Sequence, residues 1–388
     1  MTEKLIAVSW TKRKDLISLV KAMGEGNSRY VGGAVRDTLL GLEVKDIDVA
    51  TPLVPEEVIA RLDAADIRTV PTGIDHGTVT ALLRGGPVEI TTLRHDVSTD
   101  GRRATVAFAQ DWQEDAARRD FTINALYADP VTLEIFDPFG GLEDLKARRV
   151  RFIGDARQRI REDHLRILRY FRFQTRFGSQ PPDIESENAC SELAATLKGL
   201  SRERVGMEMM NLLGLPDPAP TVARMAELGV LPVVLPEADP KALARLVAEE
   251  QRQDIAPDAI RRLAALLPAE VPLAEQVASR FRLSGAQKKR LATAAARNGE
   301  TEDARALAYR LGMEQALDRL LIAGEDTGPL KDWDIPTFPL KGGEIVARGV
   351  KAGPEVARIL QAVEARWVAE RFPPRDRVDV LLDEALAT

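Results

Sequence analysis

The run from Gly32 to Val49 constrains this chain more than any other. It reads Gly32-Gly33-Ala34-Val35-Arg36-Asp37 and then, nine residues on, Asp46-Ile47-Asp48-Val49. A glycine pair lets backbone approach a ligand closely, and a helix opening there offers free N–H groups and a positive dipole end. Side chains two apart on a strand share a face, so Asp46 and Asp48 converge. Two converging carboxylates suit a pair of Mg²⁺ ions roughly 3.5–4 Å apart, the arrangement used for in-line phosphoryl and nucleotidyl transfer. The run therefore predicts an α/β unit that holds a nucleoside triphosphate between a helix start and an acid-bearing strand.

The surrounding pattern fits such a unit. Residues 12–23 read as a helix ended by Gly24 and Gly26, and Pro55–Ala65 as a second helix. Short β-like runs follow at Ser28–Val31, Asp46–Ala50, Ile67–Val70, Thr78–Leu83, Val88–Leu93 and Thr105–Ala107. Turn signals such as Gly85-Gly86-Pro87 predict antiparallel hairpins between them. From about Asp155 strand signals stop and helical periods take over, broken by Pro-rich stretches at 215–220, 235–240, 267–272 and 328–339. Ser284 with Gln287 forms a capping box, and Gly353-Pro354-Glu355 opens a final helix through Trp367. The expectation is an α+β chain with an α/β head followed by an elongated all-helical remainder.

Composition narrows the classes. No apolar run approaches the roughly 20 residues that cross a bilayer, and Leu5–Val8 is too short for a signal-peptide core. A single cysteine, Cys190, excludes an intramolecular disulfide and suits a reducing cytosol, so a cytoplasmic location is expected. His76, His95 and His164 lie far apart, which argues against a His-rich phosphohydrolase or zinc centre. The net charge is −6, yet residues 145–178 hold eleven Lys or Arg against three Asp or Glu. That band reads either as a surface for phosphates or as a solvated basic helix face.

Two further clusters carry chemistry. Arg118-Arg119-Asp120-Phe121-Thr122-Ile123-Asn124 gathers donors and a carboxylate for a triphosphate and a ribose, although a capped helix start with surface arginines has the same composition. In Glu162-Asp163-His164-Leu165-Arg166, continuing to Arg169, Tyr170 and Arg172, a helix would align Asp163, Arg166 and Tyr170 on one face and turn Leu165, Leu168 and Phe171 inward. An Asp beside an Arg presents an acceptor next to donors, which matches the edges of cytosine and adenine and mismatches guanine and uracil. The competing reading is a plain Glu162–Arg166 salt bridge worth about 0.3–0.5 kcal/mol.

Taken together, these segments resemble the class II tRNA nucleotidyltransferases, the CCA-adding enzymes of the polymerase β-like superfamily. The likeness runs through about residues 28–215, in GGAVRDTLLGLEVKDIDVAT, TGIDHGTVTALL, VEITTLRHDVSTDGRRATVAF, RRDFTINAL, IREDHLRILRYFRF and SRERVGMEMMNLL. It implies a catalytic head over 1–145, a base-selecting helical neck over 146–215, and a tRNA-binding body and tail over 216–388. Asp46 and Asp48 would hold two Mg²⁺ (or Mn²⁺) ions, with Gly32, Gly33 and Arg36 against the triphosphate. Arg119, Asp120 and Asn124 would meet phosphate and sugar. Asp163 and Arg166 would read the base, and Arg169 and Arg172 would contact nucleotide or phosphates. Glu89 would be a third acidic group or a strand-edge glutamate. The segment His95–Arg103 would be a mobile loop needed for the terminal A, or a hairpin turn. The implied reaction adds CCA to tRNA from CTP and ATP; A-adding, CC-adding and poly(A) enzymes, or a non-catalytic RNA-binding relative, are the alternatives.

Overall fold

A computed structural model describes residues 3–100, 103–109, 111–297 and 303–387. The N-terminal part is built on a seven-stranded sheet with order β3-β4-β5-β2-β1-β8-β9. Its strands are β1 (Arg29–Val31), β2 (Ile47–Thr51), β3 (Thr69–Gly73), β4 (Thr78–Leu83), β5 (Gly86–Thr92), β8 (Tyr127–Ala128) and β9 (Ile135–Phe136), while β6 (Arg94–Asp100) and β7 (Arg103–Phe108) pair separately. Along β2 and β5, Ile47, Val49, Val88 and Ile90 are buried, and the alternate positions Asp48 and Glu89 share the other face. Helices α1 (Lys14–Met23), α2 (Gly33–Leu39) and α3 (Pro55–Asp63) bury Leu16, Leu19, Val35, Val58 and Leu62.

The expected antiparallel hairpins form between consecutive strands, and the sheet adds a pairing that no turn announces, β2 with β5. It is parallel, with Asp48 opposite Glu89. The β4–β5 hairpin is antiparallel as its turn signals require; from β2 the chain crosses through α3 into β3 at the sheet edge, and the β3-β4-β5 meander brings β5 back beside β2 in the parallel sense. Local turn chemistry carries no trace of that long-range neighbour.

The segment His95–Arg103, read as a mobile loop or a hairpin turn, lies mostly in the paired strands β6 and β7. Asp96 pairs with Val106 and Asp100 with Arg103 in an antiparallel ladder; Gly101 and Arg102, at its tip, lie outside the described residues. Beyond it come α4 (Trp112–Ala117), α5 (Gly141–Lys146), α6 (Ala156–Glu162), α7 (Arg166–Phe177), α8 (Ile184–Glu192) and α9 (Arg202–Leu213). A single helix through Glu162–Arg172 is not formed. Asp163 ends α6 with φ −150° and ψ 103°, because its carboxylate accepts the Leu165 N–H at 3.2 Å. A short acidic side chain that satisfies a nearby N–H competes with the helix ladder.

On α7, Leu168 and Phe171 are buried as expected, and Leu165 just before it likewise. Tyr170 joins them. It stacks on Phe152 at 5.8 Å and lies 6.3 Å from Phe121, and so belongs to an aromatic core and not to the Asp163–Arg166 face.

The chain divides into two compact units, residues 1–215 with 221–236, and 216–220 with 237–388. The second is helical and contains a buried ion network: Glu250 accepts from Arg261 at 2.8 Å and from Arg262 at 2.8 Å, and Asp318 from Arg261 at 3.0 Å and Arg290 at 2.7 Å. Ser284 and Gln287 form the reciprocal cap. The helix Pro354–Ala369 buries Ile359, Val363 and Trp367 against Val378, Leu381 and Leu382. No helix of the described residues is long and apolar enough to cross a membrane.

Candidate active site

A cleft of about 480 Å³ opens within the first unit. The expected residues Gly32, Gly33, Arg36, Asp48, Glu89, Arg119, Asp120, Asn124, Asp163, Arg166 and Arg169 line it, joined by Val31, Thr91, Arg94, Arg118 and Phe173. Asp46 and Arg172 are not among the lining residues. Asp46 is exposed just before β2, and Arg172 is turned to Glu208, which accepts from its Nε at 2.6 Å.

One wall is acidic. Burial, the charge of Glu89 across the strand pair and, more weakly, that of Asp46 push the Asp48 carboxyl up to about 6, against the pull of Arg119. Such a carboxylate lacks enough positive charge in the protein alone, and a bound cation would supply it. Among the described residues no three Asp, Glu, His or Cys side chains enclose a point in space. A metal held by one or two carboxylates and completed by substrate phosphate oxygens needs no such cage, which is the habit of Mg²⁺. The donor set fits that use.

Facing it is a cationic wall. Gly32 takes φ +67°, and a Cβ there would meet Arg119 Nη1 and the Asn124 carbonyl at 3.6 Å, so this turn favours glycine. Arg36, buried, ion-pairs with Asp37 at 2.7 Å, donates to Asn124 Oδ1, and lies 4.1 Å from the centre of the Phe177 ring. Asp120 accepts from Arg169 Nε at 2.8 Å and from Asn124 at 3.0 Å. Burial works to raise its pKa, but Arg169 and Asn124 hold it below the usual carboxylate range. Asp120, Asn124, Arg36 and Arg169 thus form one connected hydrogen-bonded floor.

The third wall comes from the α6–α7 junction. Asp163 does not pair with Arg166; its Oδ2 accepts from Arg204 on α9 at 2.6 Å. Arg166 donates to Glu162 at 2.7 Å, to the Arg159 carbonyl at 2.9 Å and to the Arg118 carbonyl at 3.0 Å. The simple Glu162–Arg166 salt bridge and a place in the cleft are therefore both real. Arg159 caps the Ala117 carbonyl at 2.8 Å, so two arginines of the junction close the C-terminal end of α4.

Much of the basic band is internally paired. Arg149 and Arg151 reach Asp144, Arg157 reaches Glu185 and Glu192, and Arg176 reaches Asp37. The local charge excess is thus largely spent on carboxylates from elsewhere in the chain.

Sequence reasoning missed Asp115 and Glu208. Asp115, buried on α4, accepts from Arg118 Nε at 2.8 Å, Arg119 Nη2 at 3.1 Å and the Tyr127 hydroxyl at 2.6 Å. Burial would raise its pKa; Arg119, Arg118 and Tyr127 bring it down to about 2. The i+3 and i+4 spacing of Asp115 to Arg118 and Arg119 was the available signal. Glu208, buried on α9, receives Arg172 and lies 3.6 Å from Arg169, a role its helix-interior spacing disguises.

Comparison with known proteins bears on the family and the fold. Residues 28–151 match the family described as Poly A polymerase head domain, and residues 182–241 that described as probable RNA and SrmB-binding site of polymerase A. CCA tRNA nucleotidyltransferase 1, mitochondrial, of Danio rerio is 35% identical over 364 residues, 89% of this chain and 84% of that protein. The CCA-adding enzyme of Geobacillus stearothermophilus is 41% identical over 204 residues, 52% of this chain and 49% of that protein. The crystal structure of the Bacillus stearothermophilus CCA-adding enzyme in complex with CTP superposes with a TM-score of 0.76 at 28% identity, covering 96% of this chain and 98% of that one. By the 35% identity across most of both chains, this protein belongs to the family of CCA-adding tRNA nucleotidyltransferases.

Proposed function

We propose that this enzyme extends the 3′ end of tRNA by C, C and A without a nucleic-acid template, taking CTP and ATP and releasing pyrophosphate. The observation that carries the reading is the facing of an acidic strand pair, Asp48 with Glu89, and a junction bearing Asp163 and Arg166 across a single cleft walled by arginines.

Membership of the family brings divalent-metal use with it; that the ions are Mg²⁺ and two in number is our assignment, with Asp46 and Asp48 as the ligands and Glu89 beside them. Bound there, the metal would acidify the primer hydroxyl and neutralise charge on the leaving pyrophosphate. Everything else falls to the chain's own groups. Gly32, Gly33, Arg36 and Arg119 hold the triphosphate, and Asp120 and Asn124 fix the sugar side. Arg166 spends three of its five donors on Glu162 and two carbonyls, which locks its plane and leaves two donors for a base. Asp163, anchored by Arg204 and the Leu165 N–H, keeps a free lone pair on each oxygen to accept an exocyclic amino group. Arg169 steadies Asp120, and Arg172 acts through Glu208 outside the cleft.

Residues 1–145 would then catalyse, 146–215 select the base, and 216–388 grip tRNA by backbone and shape. The cytoplasm is the proposed compartment. Asp46→Ala and Asp48→Ala should each abolish incorporation while leaving tRNA binding intact in a filter or gel-shift assay; unchanged turnover would remove the metal assignment. A second reading, a poly(A)-adding enzyme, draws on the description of the matched head domain. Incorporation from CTP alone onto a tRNA lacking CCA separates the two.

A further inference from the structure

Two of the arginines that line the cleft, Arg118 and Arg119, lean on the same buried carboxylate. Asp115 is 1% exposed. One of its oxygens takes the Arg118 Nε–H at 2.8 Å and, more loosely, the Arg94 backbone N–H at 3.4 Å. The other takes Arg119 Nη2 at 3.1 Å and the Tyr127 hydroxyl at 2.6 Å. Arg119 Nε in turn donates to the Tyr127 oxygen at 3.0 Å, closing a ring of three groups. Tyr127 is fully buried and fixed edge-on by Trp112 at 5.9 Å, so the ring rests on rigid core.

The charge count gives this arrangement a purpose. The two guanidiniums carry one more positive charge than the carboxylate they share, and both border the cleft. Held in place, that charge is aimed at an anion. Without the carboxylate, two adjacent cations repel each other, and long arginine side chains regain rotamer freedom that a ligand must then remove.

We propose that Asp115, with Tyr127, is the positioning carboxylate for the triphosphate: it touches no substrate, but sets Arg118 and Arg119 so that their surplus charge meets the phosphates of CTP and ATP alike. The inference rests on the reading of this cleft as the nucleotide site. It differs in sign from a purely electrostatic role, in which removing a negative charge beside the phosphates would strengthen binding.

The test uses the full-length enzyme with truncated tRNA as primer, and tripolyphosphate as an inhibitor that carries no base or sugar. Asp115→Asn, nearly isosteric, should raise KM for CTP and for ATP and the Ki of tripolyphosphate together by about tenfold, the worth of one charge-assisted hydrogen bond. The choice of C and A over G and U should stay unchanged, and kcat should stay within a few-fold. Tyr127→Phe keeps the charge and loses only the bridging hydroxyl. It should move the same constants in the same direction by a smaller factor, and it carries the test if the Asn variant fails to fold. A Ki that is unchanged or lower in both variants overturns the proposal, as does a fall in melting temperature and kcat with KM and Ki unmoved, the signature of a merely structural residue. Arg119→Ala distinguishes the two levels. If it leaves the tripolyphosphate Ki untouched, the nucleotide reading of this wall fails; if it raises Ki while Asp115→Asn does not, the positioning role alone fails.

Discussion

Replacing Asp48 by asparagine should make the protein more stable and inactive at once. In the folded chain the Asp48 carboxyl sits at about 6 instead of 3.8, mainly through burial and the neighbouring Glu89. Ionising it there costs about 3 kcal/mol relative to the unfolded chain. Asp48 is only partly buried, so screening reduces the recoverable share to about 1–2 kcal/mol. The sign follows from the raised pKa: the folded state prefers the proton, and the advantage present below about pH 4 is lost as pH rises through 6. Asp48→Asn cannot ionise and escapes that loss. With a chelator present, wild type and variant should melt together near pH 4. By pH 8 they should separate, the variant higher by about 2–4 °C if the first unit unfolds as one domain of some 230 residues. Added Mg²⁺ should raise the wild-type melting temperature and leave the variant's unmoved, a readout independent of turnover. An Asn variant that melts below wild type at pH 8 in chelator would refute the reasoning, because the carboxylate would then be stabilised by the fold and not strained by it.

Glu89→Gln should let Asp48 ionise at lower pH, moving the acid limb of the pH–rate profile downward in single-turnover assays; an unmoved limb would mean that Glu89 does not act on Asp48. Arg166→Ala should erode the preference for C and A over G and U, of order 10⁴-fold where buried polar groups must match, more than it slows transfer of the correct base. Retained selection would end the base-reading role. Tyr170→Phe removes a buried hydroxyl that has no hydrogen-bond partner among the described residues. It should stabilise the chain by about 1 kcal/mol in urea titration with activity and base choice intact; a change in base choice would restore Tyr170 to the site.

The chemistry of the site was more legible in sequence than its wiring. Gly32-Gly33 and Asp48 announce themselves because backbone conformation and strand period are local properties. The Ser284 cap and the Pro354 helix follow from near-neighbour rules as well. What stayed hidden depends on long-range neighbours. The parallel β2–β5 pair, which brings Glu89 beside Asp48, closes only after the crossover through α3 and the β3-β4-β5 meander, and no turn signature marks it. The break at Asp163 depends on a carboxylate choosing the Leu165 N–H and Arg204 over a continuing helix. The basic band looked like free charge because its partners, Asp144, Glu185, Glu192 and Glu208 among them, lie outside it in sequence or on other helices. Tyr170 was misplaced because helical spacing alone does not say where the aromatic core begins.

The central claim is that acids on a sheet and a base reader on a helix junction serve one cleft, so that the protein itself specifies the added bases. The most direct measurement gives purified enzyme a tRNA ending at the position before CCA, supplies each labelled triphosphate singly and in mixture, and sequences the ends. The account expects C from CTP alone, C-C-A from CTP with ATP, and no G or U. Addition of G or U at comparable rates, or of A alone without prior C, would contradict it.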